Sequence, residues 1–303
     1  MSKYDILHFP GDSKNLLPDL CQRRLITKER LLLMQTRIEK VRLFREQGGS
    51  LKHLAKRVIK KSTARQLLNF TPQKHWNHSA RRINGLMNKR EFDYLEIGVA
   101  YGTTLQAVRA RKKVAVDPNP LFDTKKLPIN VSVYRGNSDD FFETLDKEDK
   151  FHFIFLDGLH ESTQLMRDII NAIKHIHSDG WILIDDIIPS DSISAIANID
   201  DSYLARGVTH REGFPWHGDC FRVLSEILSL DFLGASVIIY PDNPQLLLRI
   251  KNKAACDKYL DQITLNDVKV NDLDYSDVFS SEALKEMPLY IEELLIKELQ
   301  SQD

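Results

Sequence analysis

The stretch YLEIGVAYGTT, residues 94–104, decides how the rest of the chain is read. Tyr94 to Ile97 has the apolar character of a buried strand, Gly98 and Gly102 supply a tight turn, and Thr103-Thr104 starts a helix. Working outward, short apolar runs recur at 92–97, 113–117 (KVAVD), 131–135 (VSVYR), 151–156 (FHFIFL) and 180–185 (GWILID), with helical patterns between them. Strand followed by helix, repeated, predicts an α/β fold: a doubly wound, mostly parallel sheet covered on both faces. The strands end in Gly98, Asp117, Gly136, Asp157-Gly158 and Asp185-Asp186, which is where such a sheet places its ligands. Two further runs, 232–240 and 245–250, are joined by the turn sequence PDNP and predict a C-terminal antiparallel hairpin that closes the sheet.

The flanks differ from this centre. Over the 303 residues, 42 Lys+Arg balance 43 Asp+Glu, yet residues 51–90 carry eleven basic side chains and no acidic one, while 251–303 hold twelve acidic against six Lys. The reading is therefore threefold: a basic, helical N-terminal extension (1–90), a central ligand-binding domain (91–250) and an acidic, mainly helical tail (251–303). Amphipathic spacing predicts helices within 28–47, after Ser50 and after Asn77, and a last one through Leu284, Met287, Ile291, Leu294 and Leu295. No apolar run reaches the ~18 residues that a membrane helix needs. The opening residues lack the pattern of a secretory leader, and Cys21, Cys220 and Cys256 have no metal-ligand spacing, so the expectation is a reducing cytoplasm without disulfides. The basic segment, with Lys60-Lys61, His75, Trp76, His78 and Arg81-Arg82, has several competing readings: contact with nucleic acid, an anionic sugar or a membrane surface, a solvated helical face, or a dock for the acidic tail of the same or another subunit in a homo-oligomer.

The chemistry of the glycine turn narrows the ligand. A pyrophosphate-binding turn reads G-x-G-x-x-G, whereas here Glu96 stands where a tight-turn glycine would be. A carboxylate there repels a pyrophosphate and suits a cationic amino group. Asp117, nineteen residues beyond Gly98, ends the next strand at the position from which a carboxylate holds ribose hydroxyls. A ligand with a ribose, a positive charge and no pyrophosphate is S-adenosylmethionine. On E-I-G-V-A-Y-G, V-D-P-N, G-N-S, D-G-L-H and D-D, residues 92–250 resemble the class I S-adenosylmethionine-dependent methyltransferases with their Rossmann-like sheet, and within them the branch containing macrolide-sugar O-methyltransferases. That resemblance implies that Glu96, Gly98 and Gly102 line the methionine and ribose, that Asp117 holds the ribose, and that Asn137 and Ser138 lie near the adenine. A plain βα turn is the competing reading of 94–104.

FIFLDGLHES (153–162) and ILIDDIIP (182–189) place Asp157, Asp185 and Asp186 at the ends of strands expected to be neighbours. Three carboxylates in one crevice repel, so a divalent cation is the natural compensation, and oxygen ligands favour Mg²⁺ or Ca²⁺. In the sugar O-methyltransferases that this resembles, the matching positions hold Mg²⁺. Capping and turn roles for the same acids are the alternative. His160, three residues beyond Asp157, is the candidate catalytic base, with Asp157 as its rival. The long stretch 186–217, ending in Trp216 and His217, is either a substrate lid or an insertion packed on its own Ile193, Ile196 and Ile199. Together these point to Mg²⁺-assisted O-methylation of a sugar or other small-molecule hydroxyl. The alternatives are a nucleic-acid methyltransferase and a catalytically silent cofactor-binding scaffold.

Overall fold

A computed structural model divides the chain at Trp76/Asn77 into two compact units. It describes residues 77–88, 90–189, 192–209, 216–240, 243–280, 287–292 and 295–296, all of them in the second unit. The helices expected within 28–47 and after Ser50 lie outside the described residues, as do Lys60, Lys61, His75 and Trp76. The helix expected after Asn77 is present as α1 (His78–Met87), and it belongs with the sheet that follows it.

Parallel strands β1 (Asp93–Ile97), β2 (Lys112–Val116), β3 (Val131–Tyr134), β4 (Phe151–Leu156) and β5 (Ile176–Ile184) are followed by β6 (Leu233–Tyr240), β7 (Gln245–Ile250) and β8 (Leu289–Ile291). Among the described residues they form one eight-stranded sheet in the order β3-β2-β1-β4-β5-β7-β6-β8. β7 is antiparallel to both β5 and β6, so the hairpin enters the sheet by its second strand, with Leu183 opposite Leu247. The fold is the expected doubly wound, mostly parallel α/β sheet with an antiparallel C-terminal hairpin.

The tail departs from the sequence reading at its end. Helices α7 (Lys253–Gln262) and α8 (Tyr275–Ser280) form, but Leu289–Ile291 is a strand pairing in parallel with β6. An aromatic and a β-branched residue beside an open sheet edge favour pairing over another helical turn.

β1 and β4 are central and buried on both faces, so burial runs through successive residues rather than alternating, and in β1 it takes in Glu96. Leu95, Phe153, Ile154 and Phe155 are wholly buried. On one face Tyr94 and Phe153 pack with Ala80, Ile83 and Met87 of α1 and with Leu105 of α2 (Thr103–Ala107). Each of the large apolar side chains among them contributes about 1.5–3 kcal/mol on burial. Asn77 fixes the start of α1 by accepting from the Ala80 N–H at 2.8 Å, and it donates to Thr104 Oγ1 at 2.6 Å, which ties α1 to the helix after the glycine turn.

α1 is also bound to the far end of the chain. Glu292, just beyond β8, accepts from Arg81 at 2.7 and 2.9 Å and from the fully buried Arg82 at 3.1 Å. Arg82 donates further to the Asn243 carbonyl at 2.6 Å and to Gln245 Oε1 at 2.8 Å. For Arg81-Arg82, the basic segment is thus a dock for an acidic residue of the same chain.

Candidate active site

The crevice lies at the carboxyl ends of β1, β2, β4 and β5, where strand order reverses about β1. Gly98 has φ +81°, and a Cβ there would stand 2.0 Å from the Asp157 carbonyl oxygen. Only glycine lets the ends of β1 and β4 meet so closely. Gly102, with φ +68°, precedes α2, and a Cβ on it would press into the Phe122 ring at 2.8 Å.

Asp117 organises the turn between them. Its Oδ2 accepts from the Val99 and Ala100 N–H groups, each at 2.9 Å, and its Oδ1 from the Asn119 N–H at 2.7 Å. Two of the turn amides therefore point at Asp117. With about two acceptor sites per oxygen, Oδ1 keeps one for a ligand hydroxyl. Glu96 is 2% exposed and lies beneath the turn, accepting from the Tyr94 hydroxyl at 2.7 Å. Burial pushes its carboxyl up to about 8. Asn137 caps α3 (Ser138–Glu143), accepting from Asp140 N–H and donating to Asp140 Oδ2, both at 2.8 Å. Ser138 is buried and accepts from Gln164 of α4 (Ser162–His175) at 3.1 Å.

Across the crevice, Asp157, His160 and Asp186 each offer a ligand atom within 4.8 Å of the others. His160 Nε2 is 3.3 Å from Asp186 Oδ2 and 3.9 Å from Asp157 Oδ1. Its Nδ1 faces the Trp216 carbonyl at 3.2 Å, and its ring lies 5.1 Å from the Trp216 ring. Burial and the neighbouring acids push Asp157 and Asp186 to about 7. Burial alone would lower His160, but the hydrogen bond and charge of Asp157 and the charge of Asp186 outweigh it and raise the ring to about 9.

Asp185 stands apart from these three. Its carboxylate faces α1, with Oδ2 at 3.7 Å from His78 Nε2 and 3.5 Å from Ser79 Oγ. Burial would raise it, but the nearby His78 ring and the Asp186 N–H, which donates to Oδ1 at 2.9 Å, hold it below the ordinary carboxylate range. Successive side chains leave a strand on opposite sides, and Asp186 takes a left-handed backbone (φ +51°) that turns it toward His160. Sequence proximity alone could not separate the two acids.

Further polar groups complete the site. His217 is fully buried, its Nδ1 3.0 Å from Asp186 Oδ1, and Asn243 Nδ2 bridges Asp185 Oδ1 at 3.0 Å and Asp186 Oδ1 at 3.3 Å. His217 was visible in sequence as the polar tip of the long connection, whereas Asn243 read only as a turn residue. The connection itself contains helix α5 (Ile199–Thr209). Its base is fastened by Trp216 Nε1 donating to the Ile196 carbonyl at 2.7 Å and His217 N–H to the Ser194 carbonyl at 3.0 Å. It therefore packs on itself and still brings Trp216 against His160.

Residues 95–187 match a family model described as a methyltransferase domain. No curated protein matches the chain. Among solved structures, the chain is similar to an SAH-bound methyltransferase of Podospora anserina (16% identity, 57% of this chain and 77% of that one, TM-score 0.39). It is also similar to the O-methyltransferase TomG of Streptomyces achromogenes, involved in tomaymycin synthesis and solved with SAM (13% identity, 57% and 80%, TM-score 0.42). A third likeness is to an O-methyltransferase of Bacillus cereus in complex with SAH (15% identity, 63% and 92%, TM-score 0.41).

Proposed function

We propose that this chain, a methyltransferase by the domain at 95–187, uses S-adenosylmethionine to methylate a hydroxyl of a sugar or similar small molecule with the help of a divalent cation. The observation that carries the reading is the convergence of Asp157, His160 and Asp186 at the carboxyl ends of β4 and β5, where the Asp157 carbonyl packs on Gly98. The free acceptor site on Asp117 supports a nucleoside ligand on the β1–β2 side. Asn137 and Ser138, engaged as cap and helix contact, would reach an adenine only through their backbone or by exchanging partners.

The donor set suits a cation. Two carboxylates with raised affinity for protons mark a crevice short of positive charge, and one imidazole beside them supplies a third ligand. A bound Mg²⁺ or Mn²⁺ would supply electrostatic stabilisation of a hydroxyl losing its proton. Asp157, His160 and Asp186 would hold it, with Asn243 and His217 orienting Asp186. Trp216 lies against one face of the His160 ring. Without a cation, Asp157 and Asp186 hold a proton on His160 at neutral pH, so the ring would act as ligand or base only after giving up that proton.

The test is incubation with methyl-labelled S-adenosylmethionine and a panel of glycosides and nucleotide sugars, read by mass spectrometry with and without EDTA. Methylated product that disappears on chelation and returns with Mg²⁺ or Mn²⁺ is the expected result. Undiminished turnover in EDTA removes the cation, and product on RNA alone removes the small-molecule acceptor.

A further inference from the structure

Trp216-His217-Gly218-Asp219 closes the long connection, and each of these four residues meets the Asp157–His160–Asp186 cluster or the turn that carries it. The Trp216 carbonyl stands 3.2 Å from His160 Nδ1, and His217 Nδ1 stands 3.0 Å from Asp186 Oδ1. Gly218 has φ +62°, and a Cβ there would stand 1.9 Å from the His160 carbonyl oxygen, so the two backbones touch. Asp219 is 6% exposed; its Oδ1 accepts from the Ser162 N–H at 2.7 Å and its Oδ2 from Ser162 Oγ at 3.0 Å. Segments 57 residues apart in sequence are thereby held side by side at the site.

A carbonyl only accepts, so the Trp216 oxygen keeps a proton on His160 Nδ1. Nε2, 3.3 Å from Asp186 Oδ2, is then the nitrogen that can offer a lone pair. A neutral imidazole needs that arrangement to ligate a cation between the two acids. The carbonyl stays in line only while 216–219 stays on the 158–162 turn, and Asp219 supplies the side-chain tie between them. Two simpler duties do not account for Asp219. It precedes the short 3₁₀ turn Cys220–Arg222, yet its side chain does not cap that turn. The start of α4 already has its cap in Glu161, which accepts from the Thr163 and Gln164 N–H groups at 3.2 and 2.9 Å. Arg222 steadies the carboxylate, donating to Oδ2 at 3.0 Å while its Nε donates to the Leu273 carbonyl at 3.1 Å.

We propose that Asp219 is a positioning residue for the His160 ligand: by clamping Ser162 to the Trp216–Asp219 segment it keeps the Trp216 carbonyl on Nδ1 and so aims Nε2 at the cation site. The proposal rests on the cation reading given above and deepens it, since it assigns a role to a side chain that acts only through another.

Calorimetric titration of the full chain with Mn²⁺, followed by electron spin echo spectroscopy of the Mn²⁺-saturated protein, tests it, because a ligating nitrogen modulates the echo and a carboxylate oxygen does not. The wild type binds Mn²⁺ with a nitrogen signal that His160→Ala lacks. Asp219→Ala binds Mn²⁺ about 10- to 100-fold more weakly and loses the nitrogen signal at saturation. Asp219→Asn, which keeps an acceptor for the Ser162 N–H, recovers both in part. Ser162→Ala, which removes only the hydroxyl, gives a smaller loss and takes the place of Asp219→Ala where that variant does not fold. A wild type that binds no Mn²⁺ overturns the cation reading and this proposal together. Mn²⁺ bound without a nitrogen signal that depends on His160 removes His160 as a ligand, and this proposal with it. Wild-type affinity in Asp219→Ala, or in Ser162→Ala where it stands in, overturns the proposal alone. So does weakened binding with the nitrogen signal intact, which would place Asp219 in the fold and not behind His160.

Discussion

His160 occupies a place where local charge reverses the usual behaviour of a buried imidazole. Burial opposes its proton, yet Asp157 and Asp186 on either side hold the proton on, and the ring is raised to about 9. In the cation-free protein, ring nuclear magnetic resonance should therefore show an imidazolium at pH 7.5 that titrates near 9. Asp186→Asn should bring that midpoint down toward the ordinary histidine value, about 6.5. Adding Mg²⁺ or Mn²⁺ at pH 7.5 should release protons into solution, because a cation and the protons compete for the same ligand atoms. A His160 midpoint that stays near 6.5 in both proteins would remove the imidazolium and restore the ring as a base. This charge reversal was not legible in the sequence. The D-x-x-H spacing brings His160 to the crevice beside Asp157, but the share of its protonation due to Asp186 comes from a residue 26 positions on whose direction is set by one left-handed backbone angle.

Among the elements, α1 shows the clearest division between what pattern reveals and what packing decides. Its apolar face (Ile83, Leu86, Met87) was readable from helical spacing, and so were the strands, because β4 is a mostly apolar run and β1 ends in a glycine turn. The destination of Arg82 was not readable, since it is fully buried on Glu292, 210 residues away. Nor was β8, which forms only because β6 leaves an edge beside it. The strand-end acids were legible as a group, while the split between Asp185 on α1 and Asp186 on His160 needed the backbone. Glu292→Leu should strip a buried guanidinium of its counter-charge and destabilise the protein by about 3–5 kcal/mol in chemical denaturation. Adding Arg82→Met to that variant should recover part of the loss. Additive losses in the double variant would show that the two side chains act separately and that the pair does not hold α1 in place.

At the scale of the whole molecule, the raised carboxyls act in one direction. Glu96 is pushed to about 8, and Asp157, Asp168 and Asp186 to about 7, all through burial first. Between the ordinary carboxylate range near 4 and these values, the folded chain keeps protons that the unfolded chain has released, so stability falls as pH rises through that window. Asp185 works the other way, its stabilisation being lost only in strong acid. Urea unfolding should accordingly give a larger free energy at pH 5 than at pH 8, and Glu96→Gln should flatten the slope. At about 1.36 kcal/mol per pKa unit, the part due to Glu96 is on the order of several kcal/mol. Equal slopes in the two proteins would show that Glu96 is ionised at pH 8. The clasp between α1 and Glu292 also has a consequence for the order of biosynthesis. When residue 250 leaves the ribosome, the first seven strands and both acids of β5's end have been made, but the carboxylate that neutralises Arg82 has not. Arg82 in turn carries Asn243 and Gln245, and Asn243 spans the two aspartates. The crevice thus reaches its final shape only after residue 292 has been made, and until then the Arg82 guanidinium has to stay in water or go without its counter-charge.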